Sequence, residues 1–261
     1  MERIFDIPLI IVGPLIIFVL VTGGILGMVL TRRLLLPRLQ VSEVDSEFTG
    51  AMVQGILVFY GLALALLAIN VLESYSDVSK VVSREATSIA ALYRDVSAYP
   101  EPARSELRGE LRKYVETVIK EAWPLQAQGK LPSKGVIQMT EFQNSLMSFQ
   151  PQGASQEIIH AETVASYNRF TEVRRMRIDA ISTGLPGIMW MVILLGAVIS
   201  LGSTFFFRVA EVTLHAILVG LLAAFIGIVI FMILALDRPF RGDLGISPAP
   251  YQLVYDQTMQ Q

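Results

Sequence analysis

Residues 48–77 read FTGAMVQGILVFYGLALALLAINVLESYSD. From Phe48 to Leu72 no side chain is charged at neutral pH across 25 residues. A bilayer core about 30 Å thick needs about 20 apolar residues of helix, so this stretch reads as a membrane span. Neither Gly nor Pro occurs from Glu73 to Tyr99. Nothing therefore ends the helix at the membrane surface, and it is expected to run on into water to about Tyr99. At 3.6 residues per turn, Gly55, Phe59, Leu62, Leu66, Glu73 and Asp77 fall within one stripe about 60° wide. The stripe is apolar within the span and acidic just beyond it. Two readings stand side by side. One is an ordinary packing face leading into solvent, which the residues alone favour. The other is a pore face, with Phe59, Leu62 and Leu66 as a dewetting constriction and Glu73 and Asp77 as a charged inner mouth.

Three further stretches qualify as spans: Ile7 to Thr31, Ala180 to Phe207, and Val212 to Leu236, the last with only His215 near its start. The chain is 53% hydrophobic and 17% charged, with a mean hydropathy of +0.54. Soluble domains average nearer a quarter charged. The first apolar run meets Arg32-Arg33, not a small-residue cleavage site, so no cleavable signal peptide is expected. Small residues recur at helical spacing: Gly23 and Gly27, Ala51 and Gly55, Gly61 and Ala65, Gly196 with Ser200 and Thr204, Gly220 and Ala224, Ala223 and Gly227. They predict close backbone approach in a packed bundle.

The insert after the second span is also read as helical. Val78, Val82, Ile89, Leu92 and Val96 give the helical extension one apolar face. Pro100 and Pro102 end it and open a helix to about Ala122, with Leu107, Leu111, Tyr114 and Val118 inward and Trp123-Pro124 closing it. A loop with Gly129, Pro132 and Ser133 precedes a helix from about Val136 to Phe149. Pro151-Gln-Gly153 breaks the chain again, and a last helix runs from about Ser155 to Ile181. Gly184-Leu-Pro-Gly187 marks a break where the third span begins. These helices look short of aromatics for a large core of their own, so an antiparallel bundle prolonging the spans, or packing on neighbouring subunits, is expected. The division is then 1–72 for the first two spans, 73–179 for a water-facing helical domain, 180–236 for the last two spans, and 237–261 for a tail that lies along the bundle.

Chemistry is sparse. Cysteine is absent, and His160 and His215 lie in unrelated segments. No P-loop, dinucleotide glycine pattern, zincin helix or serine elbow occurs. No catalytic residue, metal site or cofactor is expected, and a net charge of −2 gives no basic field for nucleic acid. Glu43, Asp45 and Glu47 precede the second span. They read as a solvated loop with acids at a helix N-terminus, or as a negative outer vestibule. Arg174, Arg175 and Arg177 before the third span, with Arg238 and Arg241 after the fourth, are expected at the inner boundary, where they can pair with acids such as Asp179 and Asp243 or, the favoured role, bind lipid phosphates. Nine Lys or Arg near span ends lie on the side of the insert and termini (Arg3, Lys80, Arg84, Arg169, Arg174, Arg175, Arg177, Arg238, Arg241), against four on the other (Arg32, Arg33, Arg38, Arg208). By the positive-inside rule the insert and both termini are cytoplasmic.

Leu92-Tyr-Arg-Asp95, Glu121-Ala-Trp-Pro124, Arg174-Arg-Met-Arg177, Leu185-Pro-Gly-Ile-Met-Trp190 and Leu236-Asp-Arg-Pro-Phe-Arg-Gly242 occur in this order. In order and spacing the chain, from about Phe48 to Tyr251, resembles the bestrophin-like family of bacterial membrane proteins. The resemblance implies an all-α integral membrane fold with four transmembrane helices and a cytosolic helical bundle between the second and third. It implies a homo-oligomer, a pentamer by analogy with bestrophins, conducting small inorganic ions passively across the bacterial inner membrane, with the second membrane helix lining the pore. No copy of the bestrophin neck motif or calcium clasp is present; Phe59, Leu62 and Leu66 only occupy a comparable place. The rival expectation is a non-conducting membrane scaffold or signalling protein that binds a partner through its cytosolic helices. With no Asp, Glu, Lys or Arg in the spans, coupled transport has no visible basis.

Overall fold

The computed structural model describes residues 7–39, 43–207 and 209–260, and among these every regular element is helical. The α-helices are α1 (Leu9–Leu34), α2 (Leu36–Leu39), α3 (Glu43–Val96), α4 (Ala103–Thr117), α5 (Trp123–Ala127), α6 (Lys134–Ser148), α7 (Ala154–Asp179), α8 (Gly187–Thr204), α9 (Val212–Leu236) and α10 (Ala249–Val254). Four helical stretches are long and apolar enough to cross a membrane: Leu9–Arg38, Gly50–Val96, Gly187–Thr204 and Val212–Leu236. The chain forms two compact units. One comprises the described residues of Met1–Glu73 and Gly184–Asp237, the other those of Ser74–Thr183 and Arg238–Gln261. Helix α3 runs through both, 54 residues or about 80 Å at 1.5 Å per residue.

In the first unit α1 packs along α9. Close approach comes from small side chains, because in a span van der Waals contact replaces the hydrophobic drive. A Cβ on Gly227 would sit 3.2 Å from the Ile17 Cα, and one on Gly24 would touch Val219 and Ala223. The α1 contact therefore uses Gly24 where the sequence pattern singled out Gly23, which meets nothing within 4 Å; Gly55 and Gly61 are equally open. Helix α3 buries Val53, Leu64 and Val71 in this unit. Its Tyr60 hydroxyl donates to the Ile193 carbonyl of α8 at 2.9 Å. The Tyr60 ring fills the space that a side chain at Gly196 would need.

The run expected from Ala180 to Phe207 is interrupted. Ala180–Ser182 is a single 3₁₀ turn, and α8 begins only at Gly187, with Pro186 as its N-cap. The physical cause is Pro186, which cannot donate a backbone hydrogen bond and pushes Leu185 out of the helical region. The Leu185 N–H is instead taken by Asp237 Oδ1 at 2.5 Å.

The second unit has a continuous core. Val78, Val82, Ile89, Leu92 and Val96 of α3 are buried in it, with Leu107, Leu111, Tyr114 and Val118, as their spacing predicts. Two expectations fail. Trp123-Pro124 does not close the helix that starts at Ala103. A π-helical turn at Val118–Ala122, where the Trp123 N–H reaches the Val118 carbonyl, carries the chain into α5. Widening the turn accommodates Pro124, which has no N–H to give. Nor is the core short of aromatics: Tyr93, Tyr99, Tyr114, Trp123, Phe142, Tyr167 and Phe170 are all buried. The tail adds Phe240, Tyr251 and Met259. These residues are scattered in sequence and form an aromatic core only on folding. Gly153, at φ +88°, caps the start of α7 in a conformation other residues avoid.

Candidate functional site

The face of α3 singled out by helical spacing is not the face on which α3 packs within the chain. Val53, Tyr60, Leu64 and Val71 point to the first unit's interior, whereas Phe59 is 75% exposed, Leu62 56% and Leu66 61%. Glu73 and Asp77 continue this face and are also exposed. Asp77 forms an exposed ion pair with Lys80 at 2.8 Å, a contact of small energetic weight in water. A stripe that is apolar and then acidic is thus left uncovered on one continuous helix. Glu43, Asp45 and Glu47 lie on the first turns of α3, and their side chains fall outside the described residues.

The five arginines grouped by their nearness to span ends separate. Arg175 is exposed. Arg238 Nη1 donates to the carbonyls of Ser182 and Thr183 at 3.1 and 3.2 Å. Arg241 Nη2 donates to the Gln128 carbonyl at 2.8 Å, so both stitch backbone segments of the second unit together. Arg177 does not face lipid: it is 1% exposed and lies in the second unit's core. Its place on α7 puts it on the buried side with Tyr167 and Phe170.

What Arg177 meets there is the residue that sequence reasoning passed over. Glu85 of α3 is fully buried and accepts from Arg177 Nε at 2.5 Å and Nη2 at 3.2 Å. The Tyr114 hydroxyl donates to Glu85 Oε1 at 3.1 Å, and Arg174 Nε donates to the Tyr114 oxygen at 3.0 Å. The Arg177 guanidinium also stands 5.7 Å from the Trp123 ring centre and 5.8 Å from that of Tyr251, within cation–π range. Trp123 Nε1 donates to the Ile246 carbonyl at 2.9 Å. The cluster therefore binds α3, α4, α5, α7 and the tail into one centre. Burial opposes the Arg177 charge, but the Tyr251, Glu85 and Tyr114 oxygens outweigh it and hold its pKa above the usual arginine value. Burial, reinforced by the Glu85 charge, pushes the Tyr114 and Tyr251 phenols up. One signal in the sequence points to this centre. Glu85 sits on the apolar stripe three residues after Val82 and four before Ile89, and a carboxylate on a buried face requires a cation partner.

Among the described residues no single helix face brings together a nucleophile, base and orienting group, and the Glu85–Arg177 centre is closed by aromatic rings. Its arrangement suits rigidity. The exposed stripe of α3, in contrast, is left uncovered by the described residues.

A bestrophin-like domain matches residues 18–251 of the sequence. No curated protein matches it. Among solved structures, the fold is similar to that of a crystallised membrane protein carrying a proline-to-alanine substitution, with a TM-score of 0.66 and 11% identity over 95% of this chain and 97% of that one. It is also similar to a bacterial bestrophin homologue from Klebsiella pneumoniae carrying an isoleucine-to-threonine mutation, with a TM-score of 0.57 and 11% identity over 95% of this chain and 99% of that one. The bestrophin-like match covers nearly the whole chain, and on that ground this protein belongs to the bestrophin-like family.

Proposed function

We propose that this protein is a homo-oligomeric channel that conducts small inorganic ions passively across the bacterial inner membrane, with α3 lining the pore. Membership of the bestrophin-like family supports the reading. The observation that carries it is the uncovered stripe of α3. Copies of α3 arranged around an axis bring Phe59, Leu62 and Leu66 together as an apolar ring that gates by dewetting. Glu73 and Asp77 then form an acidic ring at the inner mouth, and Glu43, Asp45 and Glu47 an outer one. Both acidic rings raise the local concentration of cations, which tilts selectivity towards them.

In this reading the assembly is a pentamer, and both termini and the 73–179 segment are cytoplasmic, as the distribution of Lys and Arg favours. Arg175 contacts lipid phosphates at the inner boundary. No step of the function requires a cofactor or covalent chemistry.

Ion flux into liposomes carrying the purified protein tests the proposal. Flux down an imposed cation gradient is expected. A folded, oligomeric protein that passes no ion in any gradient overturns it and leaves the scaffold reading. Where flux is present, Glu73→Gln shifts the reversal potential towards anions; an unchanged reversal potential removes Glu73 from the mouth.

A further inference from the structure

The cluster Thr31-Arg-Arg-Leu-Leu-Leu-Pro-Arg38 follows the first uncharged run, and neither the pore stripe nor the Glu85–Arg177 centre uses it. No acidic residue occurs between Asp6 and Glu43, so Arg32, Arg33 and Arg38 have no compensating charge in their own segment. Arg32 and Arg33 stand in the last turn of α1, where the carbonyl end of the helix dipole favours a cation. Arg33 and Arg38 are exposed, whereas Arg32 is half-buried.

Backbone holds Arg32 in place. Its Nη1 donates to the Val209 carbonyl at 2.8 Å and its Nη2 to the Ala210 carbonyl at 3.2 Å. Both acceptors lie in the link between α8 and α9, in the same unit as α1. A guanidinium carries five N–H donors, and these two bonds leave three without a partner among the described residues. Both acceptors are neutral, and no carboxylate among the described residues pairs with Arg32. A half-buried charge is costly unless an opposite charge reaches it. Arg32 also lines a cavity of about 250 Å³, together with Leu36, Pro37 and Phe207. All four belong to the first unit. The volume lies below the roughly 300–1,000 Å³ of sites for drug-sized ligands and suits one small charged group.

We propose that this cavity binds a phosphate group. Guanidinium donors match phosphate oxygens in a fork that a point charge lacks. The two carbonyl bonds fix the guanidinium before a ligand arrives, so little side-chain freedom is lost on binding. Two sources offer the same chemistry: a phospholipid headgroup and a free phosphate ion. Arg32 directly follows Thr31, the last residue of the uncharged run. In a span, that position is where the apolar core gives way to headgroups, which favours the lipid. The inference concerns α1, α2 and the α8–α9 link, and it does not rest on conduction.

Native mass spectrometry of the full chain in detergent, with phosphatidylglycerol and phosphatidylethanolamine added at a fixed ratio, reads the lipid source. Thermal midpoints in inorganic phosphate against chloride at equal ionic strength read the free ion. The parent protein is expected to keep a phospholipid on each chain after collisions have removed the rest. Arg32→Gln should lower that retention several-fold, and Arg32→Lys, which keeps the charge without the fork, should fall between. Pro37→Trp fills the cavity without removing the Arg32 tether and should lose the lipid equally, which keeps the test decisive if Arg32→Gln fails to fold. Arg94→Gln, at an exposed arginine of α3, removes the same charge elsewhere and should match the parent. A midpoint raised by phosphate without lipid retention, and not raised in Pro37→Trp, supports the proposal and assigns the free ion. A parent protein that keeps no lipid and gives no phosphate response overturns it. So do Arg32→Gln and Pro37→Trp proteins that match the parent in both measurements. Either of these results leaves a carboxylate of the chain itself as the counter-charge of Arg32.

Discussion

Arg177 and Glu85, 92 residues apart in sequence, meet in a two-point ion pair at 2.5 and 3.2 Å, with neither side chain reaching solvent. Their meeting ties the second-unit part of α3 to α7. Removing one member of a buried pair leaves an uncompensated charge, which costs about 3–5 kcal/mol. Glu85→Ala is therefore expected to lower the thermal midpoint sharply, read by tryptophan fluorescence in detergent. Glu85→Leu combined with Arg177→Leu should recover much of the loss, because no charge is then stranded. A single variant as stable as the parent protein contradicts the assignment.

The raised phenols of Tyr114 and Tyr251 predict an alkaline limit. Below about pH 10 tyrosines are protonated whether the chain is folded or not, and their contribution is complete. Above it the unfolded chain loses these protons while the folded one keeps them, so stability falls by about 1.4 kcal/mol per pH unit for each such group. Midpoints measured between pH 8 and 11.5 should be level and then drop. Tyr251→Phe should make the descent shallower. An identical slope in the variant means that Tyr251 ionises as readily folded as unfolded.

Tyr60 and Gly196 give a test within the first unit. Any side chain at position 196 displaces the Tyr60 ring and with it the 2.9 Å bond to Ile193. Overpacking of this kind costs about 1–3 kcal/mol. Gly196→Ala should destabilise the protein in the Tyr60 background and far less in a Tyr60→Ala background. Strictly additive losses in that double-mutant cycle show that the two positions do not share a contact.

The apolar stripe of α3 makes a prediction about flux. If Leu62 and Leu66 form a dewetting constriction, a hydroxyl there wets it, and Leu62→Ser should raise liposome ion flux several-fold. Val58→Ser, also on an exposed position of α3 but off the stripe, should leave flux near the parent value. Equal effects at 58 and 62 disconnect the stripe from conduction.

How much of this was legible in the chain depends on the range of the interaction. The long α3 was legible because its causes are local: an uncharged run of sufficient length, then 27 residues from Glu73 to Tyr99 without Gly or Pro. The inward faces of α4 and of α3 beyond Glu73 were legible for the same reason, through the 3.6-residue period. The break before α8 was marked by Pro186, although its exact start was not. By contrast, continuation through Pro124 required a π turn, which no residue type announces.

The sequence by itself determined that this is a helical chain with four stretches able to cross a bilayer, and where the apolar faces of the helices between the second and third lie, because helix formation and transfer from water depend on neighbours within a turn or two. Only the tertiary structure decided which polar residues are buried. Arg177 reads as a boundary arginine beside Arg174 and Arg175, and becomes a core residue because Glu85, Trp123 and Tyr251 arrive around it from three distant segments. The tertiary structure likewise decided that α3 packs on Val53, Tyr60, Leu64 and Val71 and leaves Phe59, Leu62 and Leu66 uncovered. Helical period can group residues on a face, but what that face meets is fixed by the volume and charge of side chains far away in the chain.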